Sequence, residues 1–197
     1  MKSITKIITL LIILSSFITS PTQIYSDNPL VHTYSIVAVD SLTGQIGAAV
    51  QSHWFSVGSR VIWAEAGVGA VATQSFTNPA FGPEGLKLLK SGLPAEQVLS
   101  TLIEQDEGRD FRQVGIVDAQ GNSASFTGKT CIPEAGNVTG KYYAIQANLM
   151  LKNSVWSAME AAFLTTEGPL AERLVAALEA AENEGGDIRG KQSAALL

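Results

Sequence analysis

Thr33 opens the stretch "TYSIVAVD", which places a hydroxyl at the head of a β-rich segment. Were this residue the first of its chain, it would supply an attacking Oγ and, through its own α-amine, the base that activates it. An α-amine titrates at about 7.7–8.0, so a useful fraction is neutral at physiological pH without any shift. Other polar residues could complete such a site. Ser52 and His53 close the next β-rich segment and could bind substrate or assist proton transfer; the alternative is a loop serine and a packed imidazole. Thr73 and Gln74 follow the run Gly69-Ala70-Val71-Ala72, whose small side chains permit close backbone approach, as an oxyanion site needs. Asn78 precedes Pro79, where it either contacts substrate or shapes a turn. Gln146 and Asn148 interrupt an apolar strand, and buried amides there need partners from a ligand or a neighbouring strand. "GGDIRGKQ", residues 185–192, is the densest polar motif, in which Asp187 and Arg189 form either an internal ion pair or a fork for a substrate carboxylate.

Other chemistries find little support. The one cysteine, Cys131, has no second thiol to pair with and no histidine near it in sequence. Two histidines and one cysteine are too few for a zinc spacing, and neither a metal nor a cofactor is implied. No phosphate loop, G-x-S-x-G elbow or dinucleotide fingerprint stands in the right context. Glu65, among apolar neighbours, pairs with Arg60, meets a substrate amine, or is a solvated strand carboxylate. The chain is acidic, with a net charge of -5 and no basic stripe, which argues against nucleic acid or anionic lipid as partners.

Residues 1–26 have the pattern of a secretion signal: Lys2 and Lys6, an apolar run from Leu10 to Ile18, then small and polar residues. The run is short for a bilayer span, so contact with a membrane is expected only through an uncleaved signal. A secreted or periplasmic location follows. Cleavage near Ser26 would leave a short leader, residues 27–32, ahead of a single domain, and would move the net charge from -5 to -7 by removing two lysines. The sequon Asn137-Val138-Thr139 is read as incidental.

The periodicity changes in blocks. Residues 33–40 and 45–52 flank the turn "SLTG", and a second strand pair lies near 61–65 and 69–75. Two helices follow, with Pro83 and Pro94 at their expected first positions and Gly92 ending the first. "RQVGIVD", "SASFTG" and "YYAIQAN" read as strands, 153–165 and 169–184 as helices, and "QSAALL" as a closing strand. Strand runs followed by helix runs predict an α+β fold: two antiparallel sheets face to face with helices outside, a four-layer α-β-β-α sandwich.

That architecture, with a Thr-headed strand, "IGAAVQS" and "AGVGAVATQ", resembles the asparaginase-like branch of the amino-terminal-nucleophile (Ntn) hydrolases. More of the chain resembles the bacterial domain-of-unknown-function family 1028, through "YSIVAVD", "GAAVQSHWFSVG", "WAEAGVGAVATQSFTNPAFGPEGLKLL", "RQVGIVDAQGN", "YAIQANLM" and "GGDIRGKQSAALL". The resemblance runs from Thr33 to Leu197. Members usually continue beyond the "SAALL" strand, so the resemblance implies a shortened C-terminus. It also implies an Ntn-hydrolase-like fold for residues 33–197. The expected function is hydrolysis of a linear amide or small peptide-like bond: Thr33 attacks, Thr73 and Gln74 steady the oxyanion, and Arg189 holds a carboxylate. Such sandwiches often associate, which makes a homo-oligomer an expected partner. The alternative is a non-catalytic ligand-binding or structural module with a blocked nucleophile. Free activity at Thr33 requires a cut between His32 and Thr33.

Overall fold

A computed structural model describes residues 33–131 and 133–197; the expected signal and leader, 1–26 and 27–32, lie outside the described residues. The first hairpin joins β1, Thr33–Val39, to β2, Ile46–Ser52, in antiparallel register from Thr33↔Ser52 to Val39↔Ile46. Asp40 makes the turn by accepting the backbone N–H groups of Leu42 and Thr43 at 2.9 and 2.8 Å, and Gly44 takes a φ of 72°. A short helix α1, Gly58–Val61, leads into β3, Ile62–Glu65, which pairs with β4, Gly69–Ser75.

Helix α2 spans Phe81–Lys90 and α3 spans Ala95–Glu104. Pro83 falls in the first turn of α2 rather than at its first residue, and Pro94 stands one position ahead of α3. Both sites suit a residue without an N–H, because the first turn of a helix leaves those donors unbonded. Strands β5, Arg112–Asp118, and β6, Ser123–Thr127, form the next hairpin. Strand β7, Gly136–Gly140, was not expected: it is bounded by two glycines, contains the sequon residues, and shows no period-2 apolar pattern. It pairs with β8, Tyr143–Asn148, from Gly136↔Ala147 to Gly140↔Tyr143. Helices α4, Val155–Thr165, and α5, Leu170–Asn183, precede the last strand, β9, Ser193–Leu196.

The strands form a five-stranded sheet in the order β7-β8-β1-β2-β9 and a four-stranded sheet in the order β3-β4-β5-β6. All the described strand pairs are antiparallel. Alternation along each strand divides its side chains between two faces. Tyr34, Ile36, Ala38, Ala49, Ile145 and Ala147 meet Met159, Phe163 and Leu174 of α4 and α5. Val71, Val114 and Ile116 of the smaller sheet meet Phe81, Val98 and Leu102 of α2 and α3. Between the sheets lie Val37, Val39, Ala48, Val50, Ala70, Ala72, Val117 and Ala144. Two antiparallel sheets, each with a pair of helices packed on it, thus make up the α+β fold that the sequence predicts.

One ion pair fixes the segment entering β5. The Arg112 Nε lies 2.6 Å from Asp106 Oδ2, and the same guanidinium donates to the Phe76 carbonyl at 2.6 Å. Arg112 first, with the Gly108 N–H behind it, holds the Asp106 carboxyl below its ordinary range. A depressed folded value means that this contribution is full above the unfolded carboxyl value of about 3.9 and disappears as pH falls through the folded one. Asp106→Asn should therefore lower stability by about 1–2 kcal/mol at neutral pH and flatten the acid limb below about pH 4, measured by urea unfolding across pH.

Candidate functional site

The layer between the sheets is apolar along most of its length and polar at one end. Odd positions of β1 face it, and Thr33 and Ser35 precede Val37 and Val39 there. From β2 comes Ser52, from β8 Gln146 and Asn148, and from the opposite sheet Gln74 of β4 and Gln113 of β5. These seven side chains, Thr33, Ser35, Ser52, Gln74, Gln113, Gln146 and Asn148, are all fully buried. Register gathers them: Thr33 is opposite both Ser52 and Asn148, Ser35 is opposite Gln146, and Gln74 is opposite Gln113.

Thr33 Oγ1 donates to Ser52 Oγ at 3.1 Å. Its backbone carbonyl accepts from Gln74 Nε2 at 3.0 Å and from Asn148 Nδ2 at 3.3 Å. Gln74 spans the sheets: its Nε2 also reaches the Gln113 Oε1 at 2.7 Å and the Gln146 carbonyl at 3.2 Å, while its Oε1 accepts from Ser35 Oγ at 2.6 Å. Ser35 Oγ in turn accepts from Gln146 Nε2 at 2.5 Å. Gln113 Nε2 donates to Thr127 Oγ1, the Gly136 carbonyl and the Ala147 carbonyl at 2.9, 3.1 and 2.9 Å. Gly115 is required beside this network, since a Cβ there would stand 2.1 Å from Gln146 Oε1. Two acceptors, Gln146 Oε1 and Asn148 Oδ1, are buried with no hydrogen-bond partner among the described residues.

The seven side chains carry only hydroxyls and amides, so none of them takes up a proton near neutral pH. The carboxylate nearby in the fold, Asp187, already accepts the His53 N–H at 3.0 Å and the Arg189 N–H at 2.8 Å, and it pairs with the Arg189 guanidinium at 3.2 Å. The internal ion pair is thus the arrangement present in "GGDIRGKQ". This loop is tied to the end of β2, where the Gln192 N–H donates to the Ser52 carbonyl at 3.3 Å and the His53 Nδ1 lies 3.2 Å from the Gly190 carbonyl.

The other candidates lie apart. Thr73 neighbours Gln74, but alternation turns it to the face shared with Val71 and the helices α2 and α3, where its Oγ1 is buried without a partner among the described residues. Thr73 and Gln74 therefore do not point into the same layer. Asn78 Oδ1 accepts the Ala80 N–H at 3.2 Å, which shapes the turn before α2. Glu65 pairs with Lys90, not Arg60. Cys131 is half-buried, its Sγ is bonded to the Arg112 carbonyl at 3.3 Å, and burial pushes its thiol up. Ser35 and Gln113 were missed in the sequence. Their signal was a hydroxyl two residues after Thr33 and an amide at the head of "RQVGIVD", but only the strand pairing puts them at one end.

Among the described residues no three His, Cys, Asp or Glu side chains gather as a metal site would need, and no helix is long and apolar enough to cross a membrane. No curated protein matches the chain. Among solved structures, the crystal structure of protein SPO2555 from Silicibacter pomeroyi, itself described by the DUF1028 family model, superposes with a TM-score of 0.79 at 36% identity, covering 84% of this chain and 72% of that one. The model of the "Family of unknown function (DUF1028)" matches residues 33–197, so its first matched residue is Thr33. The match over residues 33–197 and the likeness to this solved structure lead to one conclusion: this chain belongs to the DUF1028 family.

Proposed function

We propose that this protein is an amino-terminal-nucleophile hydrolase of linear amide or small peptide-like bonds, with Thr33 as its nucleophile. The observation that carries this reading is the composition of the polar layer. A fully buried threonine at the head of the central strand is bonded, among the described residues, to hydroxyls and amides alone, and none of these side chains can act as its base. A free α-amine on Thr33 itself supplies what is missing. In that scheme the amine takes the Oγ1 proton as the oxygen attacks the substrate carbonyl. The tetrahedral adduct then collapses, the proton passes to the departing amine, and water hydrolyses the threonyl ester. Asn148 Nδ2, opposite Thr33 and holding the longer of the two bonds to its carbonyl, is the donor best placed to turn toward the developing oxyanion. The start of the family match at Thr33 fits a domain whose shared part begins with its nucleophile. Export fits the same scheme, because removal of residues 1–26 would leave a short leader for a second cut before Thr33.

One observation favours a second reading, a ligand-binding module with a blocked nucleophile. Every polar atom of the Gln74 side chain is engaged inside the protein, so this amide serves the packing of the two sheets. Amino-terminal sequencing and intact mass of protein recovered outside the producing cells separate the two. The hydrolase reading expects a fraction that begins at Thr33 and holds the amidase activity. Active protein carrying only termini near Asp27 would overturn it.

A further inference from the structure

We propose that the trough between α5 and the edge strand β9 is a binding site for a small neutral carboxamide with an apolar tail, recognised through Gln51. Gln51 lies on β2, opposite Tyr34 of β1 and Ala194 of β9. Alternation points it away from the Thr33 layer and toward α5, on the face where Ala49, Ile36 and Leu174 pack. It is 5% exposed, and neither its Nε2 nor its Oε1 meets a hydrogen-bond partner among the described residues. Burying an amide with both ends unpaired costs about 1–3 kcal/mol for each group, and a leucine in this apolar setting would avoid that cost. Folding therefore gives no reason for the amide, whereas a ligand does.

The trough has the size and lining of such a site. It encloses about 600 Å³, within the usual range for small-molecule sites. Val175, Leu178 and Leu196 supply an apolar wall, and Val175 and Leu196 are 40% and 47% exposed. Tyr34, Glu182 and Lys191 form the polar end, where the Tyr34 hydroxyl donates to Glu182 Oε1 at 2.5 Å and Lys191 Nζ lies 3.7 Å from Glu182 Oε2. Burial first, then the Glu182 carboxylate, raises the Tyr34 phenol above its ordinary value, so it stays a protonated, fixed wall.

The ligand's chemistry follows from these groups. A side-chain amide offers one donor edge and one acceptor edge, and the group that answers both is another amide carrying N–H and C=O. Glu179 and Glu182 line the same space and disfavour a carboxylate, since the one lysine there is already paired with Glu182. Because the Gln51 amide is held by packing alone, turning it toward an incoming amide breaks no hydrogen bond. The site is on the reverse face of the sheet from Thr33 and does not depend on the proposed hydrolysis.

Titration of the purified protein with hexanamide, followed by NMR of its backbone and side-chain amides, tests the proposal. Shifts should be confined to the Gln51 side-chain amide, Ala194, Leu196 and the facing turn of α5, with half-saturation at about millimolar concentration, as suits a ligand of so few atoms. N,N-Dimethylhexanamide, which lacks the N–H groups, and hexanoate should each bind at least about tenfold more weakly. Gln51→Leu should weaken hexanamide by a similar factor while leaving the melting temperature unchanged or higher. Absence of shifts up to about 20 mM, equal binding of the three probes, or undiminished binding by the Gln51→Leu protein would each overturn the assignment. The probe comparison uses the unaltered protein, so the result stands even where the variant folds poorly.

Discussion

Turnover of linear amides by the proposed hydrolase should fall by at least about a thousandfold when Thr33 is replaced by alanine, because the substitution removes the oxygen proposed to attack and leaves everything around it in place. The fold should survive. Thr33 gives the core one side-chain bond, to Ser52 Oγ, and its loss is expected to cost about 1 kcal/mol. Thr33→Ser keeps the oxygen and the amine and should retain a measurable part of the activity. The assay is release of amine from short amides by protein whose terminus has been sequenced, with circular dichroism to verify folding. Undiminished hydrolysis by the alanine protein would remove Thr33 from the chemistry.

A second large effect is expected at Gln74, this time on stability. Its side chain bonds to Ser35, to the Thr33 carbonyl, to Gln113 and to the Gln146 carbonyl, and all of these belong to fully buried residues. Gln74→Leu keeps roughly the same volume but takes the acceptor from the Ser35 hydroxyl and a donor from the Gln146 carbonyl, the Thr33 carbonyl and Gln113 Oε1, the last two keeping only Asn148 Nδ2 of their side-chain donors. Four buried bonds at about 1 kcal/mol each are lost, and the Ser35 donor is left unmet, so a loss of about 3–5 kcal/mol is expected. For a domain of this size the midpoint of thermal unfolding should drop by about 10 °C or more. A drop of only about a degree would mean that the network relaxes or takes in water, and that Gln74 does not join the sheets.

The fold was largely legible because its signals are local. Alternation in "TYSIVAVD" and "RQVGIVD", prolines near helix starts and glycines at turns all act over a few residues, and the hairpins they delimit form. Strand β7 was hidden because "GNVTG" has little side chain to bury and owes its extended form to β8 beside it. The site was less legible. Gln146 and Asn148 stand out as amides in an apolar strand, but their partners Ser35, Gln74 and Gln113 lie 35 to 111 residues away in the chain. The strand period also separates Thr73 from Gln74, which sequence proximity alone had joined. For Asp187 and Arg189, only geometry decides between a pair turned on itself and a fork held open for a carboxylate.

The place of β1 in its sheet bears on the order of events during folding. The strand that begins the domain lies at the centre of five, and its flank against β8 joins Thr33 to Asn148, residues 115 apart. During synthesis β1 can form its hairpin with β2 early, but its other edge stays open until most of the chain has been made. Pairings of such long reach slow folding and leave strand edges exposed meanwhile. The polar pocket around Thr33 cannot exist before that late closure, because Asn148 and Gln146 arrive with β8. If the chain itself makes the cut that frees Thr33, that step must come after folding, so maturation would report that the sheet had closed.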